Sequence, residues 1–201
     1  MGAPQIQPSA DVDDDASLGA GSSVWHLAQI RTGAMLGERV IVGRGAYIGS
    51  GVRVGDSCKI QNYALVYEPA VLEPGVFIGP AAVLTNDTYP RAVNPDGTPK
   101  GSHDWEAVGV TCREGASIGA RAVCVAPVTI GRWAMVAAGA VVVADVPDHA
   151  LMVGVPARRI GWVGRSGRRL EPAGPDTWVD PQNGDTFILE GNTMTPVTGG
   201  S

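Results

Sequence analysis

The chain has 201 residues, of which 44% are hydrophobic and 17% charged, which suits one domain with a sizeable core. Its 28 glycines and 15 prolines are too many turn formers for a helical bundle, and a net charge of −5 argues against nucleic acid as the main partner. The sequence shows no apolar run of membrane-spanning length and no signal pattern at its start. Its three cysteines lack metal-ligand spacing. We therefore expect a cytoplasmic protein with reduced thiols that binds neither membranes nor nucleic acid.

The chain begins with residues 1–15, which are polar and acidic. Asp11 and the run Asp13, Asp14 and Asp15 place four carboxylates close together. Like charges in one short stretch repel each other and favour solvation over packing. We expect a flexible acidic lead-in here.

A six-residue period organises residues 16–146. One large aliphatic residue or cysteine recurs in every hexad, and a small or β-branched residue precedes it by two positions. The phase is kept over residues 16–84 and resumes, shifted, over residues 110–146. The large positions are Leu18, Val24, Ile30, Leu36, Val42, Ile48, Val54, Ile60, Val66, Leu72, Ile78 and Leu84, then Cys112, Ile118, Cys124, Ile130, Val136 and Val142.

A period of six fits neither an α-helix nor one flat strand. It suits short strands joined by tight turns, with three hexads forming one triangular coil and stacked coils pairing their strands. Twelve hexads and then six predict an all-β parallel β-helix of about six coils: coils one to four over 16–84, and coils five and six over 110–146. The three cysteines, Cys58, Cys112 and Cys124, fall on inward positions, so we expect buried thiols rather than a nucleophile.

Residues 85–109 interrupt the repeat with a polar segment of 25 residues. Such an excursion from a solenoid is typical of a loop that builds a site. Residues 147–163 are too rich in proline and glycine to form another coil, and we expect them to cap the open end of the solenoid. Residues 164–201 read as a polar tail, with a hairpin turn at Asn183-Gly184.

Four stretches carry a resemblance to a known family: SSVWHLAQI, the run through Gln61-Asn62-Tyr63 to Thr85-Asn86-Asp87 and Pro90-Arg91, EGASIGARA, and DVPDHALMVGVPARRIGWV. Over residues 16–163 the chain resembles the hexapeptide-repeat acyltransferases. Within them it is most similar to the enzymes that N-acetylate UDP-2-acetamido-3-amino-2,3-dideoxy-glucuronate for surface polysaccharides. The resemblance implies a left-handed β-helix, acetyl-CoA as cosubstrate, and a homotrimer with sites between subunits. Several relatives end in a tail with paired cysteines, whereas residues 164–167 and 180–184 here contain none, so we predict no metal site.

Acetyl transfer to an amine needs a positioned neutral amine, donors for the developing oxyanion and a proton acceptor. The resemblance makes Asn86, where the fourth coil ends, the residue that orients the amine. An Asx-turn is its alternative role. His26 is the candidate base because it lies off the inward positions. His103 fits a solvated loop and His149 a structural role in the cap. A mechanism in which the coenzyme A sulfur takes the proton remains open.

The nucleotide sugar needs groups that bind a diphosphate and, for a uronic acid, a carboxylate. Arg91 is the candidate because guanidinium binds such anions bidentately. Further substrate-binding candidates are Asp87, Gln61, Asn62, Tyr67 and Glu68. For coenzyme A, the family places the cofactor along the last coils. Small residues there would admit its pantetheine arm, and arginines would meet its phosphates: Ala120, Ala138, Gly139, Arg158 and Arg159.

Three alternatives compete with this interpretation. The acceptor could be a TDP-linked 3-amino deoxyhexose or a perosamine-type 4-amino sugar, which differ only in groove contacts. The solenoid could be a non-catalytic scaffold, although a scaffold has no need of the long insertion. A zinc hydratase on the same fold is excluded, because His26, His103 and His149 lack the spacing of a zinc site.

Overall fold

The computed structural model describes residues 2–197. It confirms an all-β parallel solenoid, whose hexapeptide repeats fit a left-handed β-helix. Residues 2–197 contain no helix, and therefore no helix that could cross a membrane.

Three sheets run along the solenoid and a fourth covers its end, with strands numbered along the chain. Sheet 1 contains β1 (Gln5–Ile6), β4 (Ser23–Val24), β7 (Ile41–Val42), β10 (Lys59–Ile60), β13 (Phe77–Ile78), β16 (Ser117–Ile118), β19 (Met135–Val136), β21 (Ala150–Val153) and β22 (Arg158–Trp162). Sheet 2 contains β2 (Asp11–Val12), β5 (Gln29–Ile30), β8 (Tyr47–Ile48), β11 (Leu65–Val66), β14 (Val83–Leu84), β17 (Val123–Cys124) and β20 (Val141–Val142). Sheet 3 contains β3 (Ser17–Leu18), β6 (Met35–Leu36), β9 (Arg53–Val54), β12 (Val71–Leu72), β15 (Val110–Cys112) and β18 (Val128–Ile130). Sheet 4 is antiparallel and contains β23 (Glu171–Pro172), β24 (Thr177–Val179), β25 (Thr186–Glu190) and β26 (Thr193–Pro196).

Successive strands pass from sheet 1 to sheet 2 to sheet 3, so each coil has three corners. We call the turns from sheet 1 to sheet 2 the first corner, those from sheet 2 to sheet 3 the second corner, and those from sheet 3 to sheet 1 the third corner. Equivalent strands of successive coils pair in parallel, as Leu65 does with Tyr47 below and Val83 above. Each coil therefore lies about 4.8 Å above the previous one.

The core is the interior of this prism, and the hexad predicts it. Every large position from Val24 to Val142 is buried, and so is every small partner from Ser22 to Ala140. Leu18 and Ala16 are half-buried because they lie in the first coil, at the open end of the stack.

The solenoid is longer than the sequence analysis predicted, with about eight turns instead of six. The expected lead-in over residues 1–15 contains β1 and β2, which pair in parallel with β4 and β5. Its acidic side chains lie outside the coil, where Asp11 and Asp13 both pair with Arg31 at 2.7 and 2.8 Å. At the other end, Val146 bridges to Ile130 and completes a seventh coil, and β21 begins an eighth.

Residues 147–163 fold back as the antiparallel pair β21–β22, which ends the stack. In the tail, the predicted hairpin is formed by β24 and β25 around Asn183-Gly184. The tail is more ordered than a polar tail implies, since β23 and β26 widen the hairpin to four strands and bury Phe187 and Met194. Residues 198–201 lie outside the described residues.

Candidate active site

The inserted loop leaves the solenoid at the second corner of the fifth coil, between β14 and β15. Thr85 Oγ1 accepts a hydrogen bond from the Ala126 N–H at 3.0 Å, and the Val108 N–H donates to the Asn86 carbonyl at 3.0 Å. The two ends of the loop are therefore tied to each other and to the coil above. Asn86 and Asp87 are half-buried at its base, on the end of a rigid strand.

Beyond this base the loop is held mainly by its own polar groups. The Asp87 carboxylate accepts the Tyr89 N–H at 2.7 Å, which is the Asx-turn geometry that the sequence analysis considered for Asn86. Arg91 is exposed, and its Nη1 donates to the Pro90 carbonyl at 2.9 Å. Within residues 2–197 no carboxylate forms a salt bridge with Arg91, so its charge is available to an anion.

Tyr67 and Glu68 lie at the same second corner, one coil below Thr85 and Asn86. The Tyr67 N–H donates to the Leu84 carbonyl at 3.4 Å, which continues the strand register into the corner. Because adjacent coils are about 4.8 Å apart, Glu68 and Asn86 are neighbours in the stack. The structure thus brings four predicted residues to one corner: Tyr67, Glu68, Asn86 and Asp87.

The Glu68 carboxylate is the least satisfied polar group of this corner. Its Oε2 is buried and has no hydrogen-bond partner among the described residues. The carboxylate fills the space above Gly49, where a Cβ would lie 2.1 Å from Oε2. Nearby, the rings of Tyr47 and Tyr67 are 5.2 Å apart, and burial, followed by the negative charge of Glu68, raises the pKa of Tyr47.

A different pattern holds at other corners, where acidic or amide side chains bond to the coil below. The side-chain oxygens of Asp56, Asn62 and Asp148 accept the backbone N–H of Glu38, Arg44 and Arg132 at 2.7–2.9 Å. The close approach requires glycine beneath: a Cβ on Gly43 would lie 2.6 Å from the Asn62 nitrogen. Asn62 therefore has a structural function that the sequence analysis missed. The signal was its spacing of 18 residues, one coil, from Arg44.

His26 and Gln61 lie at the first corner, on the opposite side of sheet 2 from Asn86. His26 Nδ1 is 2.8 Å from Ser9 Oγ, and both residues are exposed. His26 belongs to the second coil and Asn86 to the fifth, so they are separated by about 14 Å along the axis alone. One chain does not bring them together. Gln61 borders a groove with Trp25, Ile41 and Arg44.

The small residues predicted for coenzyme A also gather at the first corner, in the sixth and seventh coils. The Gly139 N–H donates to the Ala120 carbonyl at 2.9 Å, so this amide is engaged within the stack. Ala138 lines an apolar groove of about 300 Å³ together with Phe77, Ser117 and Met135. The groove lies on the outer face of sheet 1.

Arg158 and Arg159 are exposed on β22. Arg158 Nη1 donates to the Ala157 carbonyl at 3.0 Å. The Arg159 guanidinium carbon lies 4.1 Å from the centre of the Trp162 ring, and its Nη1 donates to Asn192 Oδ1 of the tail. Within residues 2–197 no salt bridge links either arginine to a carboxylate.

The remaining candidates have the structural roles that were predicted. His149 is buried, with Nδ1 2.9 Å from the Val163 carbonyl and its ring edge-on to Phe187 at 5.0 Å. Burial lowers its pKa. His103 is exposed in the loop. All three cysteines are buried, and burial raises the pKa of Cys58 to about 11 and of Cys124 to about 12. Among residues 2–197 no three His, Cys, Asp or Glu side chains are close enough to share a metal ion.

Comparison with known proteins supports the repeat directly. The family described as the hexapeptide repeat of succinyl-transferase matches residues 33–63 and 114–144. A dTDP-3-amino-3,6-dideoxy-alpha-D-galactopyranose 3-N-acetyltransferase from Aneurinibacillus thermoaerophilus is 57% identical over 51 residues, which are 25% of this chain and 27% of that protein. Serine acetyltransferase of Escherichia coli K12 is 39% identical over 88 residues, 43% of this chain and 31% of the relative.

Among solved structures, a hexapeptide-repeat acetyltransferase from Vibrio cholerae, complexed with acetyl coenzyme A, superposes with a TM-score of 0.57. The two sequences are 24% identical, and the superposition covers 66% of this chain and 72% of the Vibrio cholerae protein. This similarity shows the shared fold. The chain spans less than a third of the length of the two curated relatives described above.

Proposed function

We propose that this member of the hexapeptide-repeat acyltransferase family transfers an acetyl group from acetyl-CoA to the 3-amino group of a nucleotide-linked amino sugar. Two partial relatives are acetyltransferases, and one of them acts on a nucleotide-linked 3-amino sugar. The long loop at the second corner, which a bare scaffold would not need, supports a catalytic role over a scaffold.

The observation that carries the proposal is the position of Glu68 at the second corner, one coil below Asn86 and the base of the loop. Glu68 is only partly buried, and its Oε2 accepts no hydrogen bond from the described residues, so the negative charge of this carboxylate favours a cationic ligand at the corner. An amino sugar arrives largely as an ammonium ion, the type of group that a carboxylate binds best. Glu68 would hold this ammonium while the Asn86 side chain orients the nitrogen from the coil above.

The reaction needs little more than this positioning. Acetyl-CoA supplies the activated acetyl group. The bound ammonium first loses one proton to water, which leaves a neutral amine. That amine attacks the thioester carbon, so that a C–N bond forms and the C–S bond breaks, and the departing sulfur takes the second proton that the nitrogen loses. Asn86 fixes the direction of the nitrogen lone pair, a contribution of orientation rather than proton transfer. His26 could act as a base only on a site formed with another subunit, because it lies three coils from Asn86 in its own chain.

Anion binding is divided between two regions of the chain. Arg91 would bind the diphosphate or the sugar carboxylate from the loop, with Asp87 holding the turn that presents it. Tyr67 would border the sugar-nucleotide groove at the second corner, and Gln61 and Asn62, at the first corner, would border it from another subunit. The apolar groove at Ala138 would take the pantetheine arm beside Ala120 and Gly139, and Arg158 and Arg159 would meet the phosphates of coenzyme A.

Two acceptors follow from different observations. The sequence motifs and the unpaired Arg91 favour UDP-2-acetamido-3-amino-2,3-dideoxy-glucuronate, whose carboxylate Arg91 would bind. The 57% identity over 51 residues favours a TDP-linked 3-amino-6-deoxyhexose, which has no carboxylate. Both proposals share the amine chemistry and a homotrimer with sites between subunits.

The deciding measurement is thiol release from acetyl-CoA with both acceptors, for wild type and Arg91→Lys. Release with the uronate alone, and a larger loss for Arg91→Lys on that substrate, supports the UDP-uronate. Release with the TDP sugar alone keeps the chemistry and changes the acceptor. A 4-amino sugar such as a perosamine nucleotide is tested as a third acceptor. If none of the three sugars causes thiol release, the proposed function is contradicted and a scaffold is favoured.

A further inference from the structure

The four-stranded tail sheet packs on the end of the solenoid and places the side chain of Asn192 against β22. Phe187 and Met194 are 1% and 2% exposed, so both strands of the β25–β26 hairpin are anchored in the core. Between them the chain turns at Gly191, whose φ of +62° favours glycine. The turn places Asn192 beside Arg159 of β22.

Asn192 and Trp162 together immobilise Arg159. Trp162 is buried and offers its ring to the guanidinium at 4.1 Å, while Asn192 Oδ1 accepts from Nη1. The remaining N–H groups of this guanidinium have no hydrogen bond to the described residues and no carboxylate within salt-bridge distance. A guanidinium that is already ordered, unpaired and exposed suits a phosphate, because little rotamer entropy is left to lose on binding.

We infer that Asn192 is a positioning residue, through which the tail sheet holds Arg159 ready for a phosphate group of the acyl donor. This inference rests on the proposed function, which supplies coenzyme A as the ligand. It assigns to the tail a role in donor binding that the cysteine-free sequence did not reveal.

Residues other than Asn192 hold the tail sheet on the solenoid. Asp180 is fully buried, and its carboxylate accepts Ser166 Oγ at 2.6 Å and the Gln182 N–H at 2.9 Å. These bonds tie the turn at 164–168 to the turn at 180–185. Asn192 is exposed and takes no part in them. Removing its side chain should therefore leave the sheet docked.

The test compares Asn192→Ala with Asn183→Ala, a matched variant at the other exposed turn. Among the described residues, the Asn183 side chain bonds only to Asp185. Calorimetric titration with coenzyme A, and with pantetheine, which has no phosphate, needs no sugar substrate. We expect Asn192→Ala to raise the Kd for coenzyme A about three- to tenfold, the range of one hydrogen bond. Pantetheine binding and the melting temperature should stay unchanged, and Asn183→Ala should bind like wild type.

Arg159→Ala should weaken coenzyme A binding at least as much, and adding Asn192→Ala to it should have no further effect. Titration with 3′-dephospho-coenzyme A identifies which phosphate Arg159 binds. If it binds the 3′-phosphate, the variants and the wild type should have the same affinity for this shortened ligand. Unchanged coenzyme A affinity in Asn192→Ala, equal weakening for pantetheine, or a wild type that does not bind coenzyme A each overturns the inference. Binding of coenzyme A as expected, without turnover of any amino sugar, contradicts the proposed function alone.

Discussion

At the scale of single residues, Glu68 differs from the other polar residues of the corners. Asp56, Asn62 and Asp148 each satisfy a backbone N–H of the coil below, and so serve the fold. Glu68 stands over Gly49 in the same way, but its buried Oε2 accepts no hydrogen bond from residues 2–197. Because this partly exposed carboxylate serves no backbone N–H of the coil below, we explain it by ligand binding rather than by stability.

Glu68→Gln tests this explanation, because glutamine keeps the shape and removes the charge. An amide binds an ammonium less well than a carboxylate, so we expect kcat/KM for the amino sugar to fall about tenfold or more. The control is Glu73→Gln, since Glu73 accepts the Glu114 N–H at 2.9 Å at the third corner, and glutamine can still accept it. Steady-state kinetics and melting curves of both variants decide the matter. Equal kinetics in the two variants would remove Glu68 from the site.

Asp180 differs from Glu68, because it is a buried carboxylate whose oxygens do accept hydrogen bonds. Burial alone would raise its pKa, but the hydrogen bonds from Ser166 and Gln182 prevail and hold the pKa below the usual range of an aspartate. A depressed carboxyl pKa contributes stability that is complete above the unfolded pKa. This contribution is lost as the pH falls through the folded pKa.

We predict that Asp180→Asn lowers the free energy of unfolding by about 1–3 kcal/mol at pH 7, because buried donors lose a charged acceptor. The difference from wild type should shrink when unfolding is measured in urea at pH 3. Asp185→Asn, at an exposed neighbour, should behave like wild type at both values. A difference that stays the same at pH 3 and pH 7 would show that the charge of Asp180 contributes no stability.

At the scale of elements, the hexad predicted the solenoid because its signal is set by the interior. Each coil offers one large and one small inward position per side, and this requirement is repeated for every side. The first coil was missed although Ile6 and Val12 keep the phase of Leu18. Its carboxylates suggested solvation, whereas two of them, Asp11 and Asp13, pair with Arg31 on the outside of the coil. The tail hairpin was predicted from Asn183-Gly184, but β23 and β26 have no repeat to reveal them.

The candidate site was harder to predict. The repeat shows which residues point inward, but it does not show at which corner each outward residue lies. Asn86 and Glu68 are brought together by a spacing of 18 residues, which becomes informative only once the coil length is known. His26 was grouped with Asn86 by chemistry, and the register separates them by three coils. Asn192 could not be predicted, because no local sequence pattern indicates that the tail sheet packs on β22.

The loop provides the clearest test at this scale. Its two ends meet through the Val108–Asn86 hydrogen bond, and β15 pairs with β12 and β18 independently of the loop. We predict that replacing residues 88–107 with a short Gly-Ser linker leaves the solenoid folded and changes the melting temperature by only a few degrees, because loop closure depends weakly on length. Acetyl transfer should be lost with Arg91. A variant that unfolds would show that the loop is structural, and one that retains full activity would place the site elsewhere.

At the scale of the whole molecule, the candidate regions face different sides of the prism. Glu68 and Asn86 lie at the second corner, whereas the groove at Ala138 lies on sheet 1 by the first corner, with sheet 2 between them. The amine and the thioester must approach to about 3–3.5 Å. A single chain does not meet this condition, but a neighbouring subunit could supply the groove. Half-exposed apolar side chains on sheet 1 and at the first corner offer a surface for such a neighbour: Ile6, Trp25, Leu27 and Phe77.

Mixed oligomers test whether one site takes residues from two chains. Asn86→Ala removes the proposed amine partner and Ala138→Trp fills the groove proposed for coenzyme A, so we expect each variant alone to be inactive. In a cyclic trimer whose sites join Asn86 of one subunit to the groove of the next, equal co-expression leaves both halves intact in about a quarter of the sites. We therefore expect about 25% of wild-type activity from the mixture. If each chain carried a complete site, the mixture would be as inactive as its parents. Co-expression of wild type with the double variant separates the cases again, because shared sites retain about a quarter of the activity and single-chain sites about half.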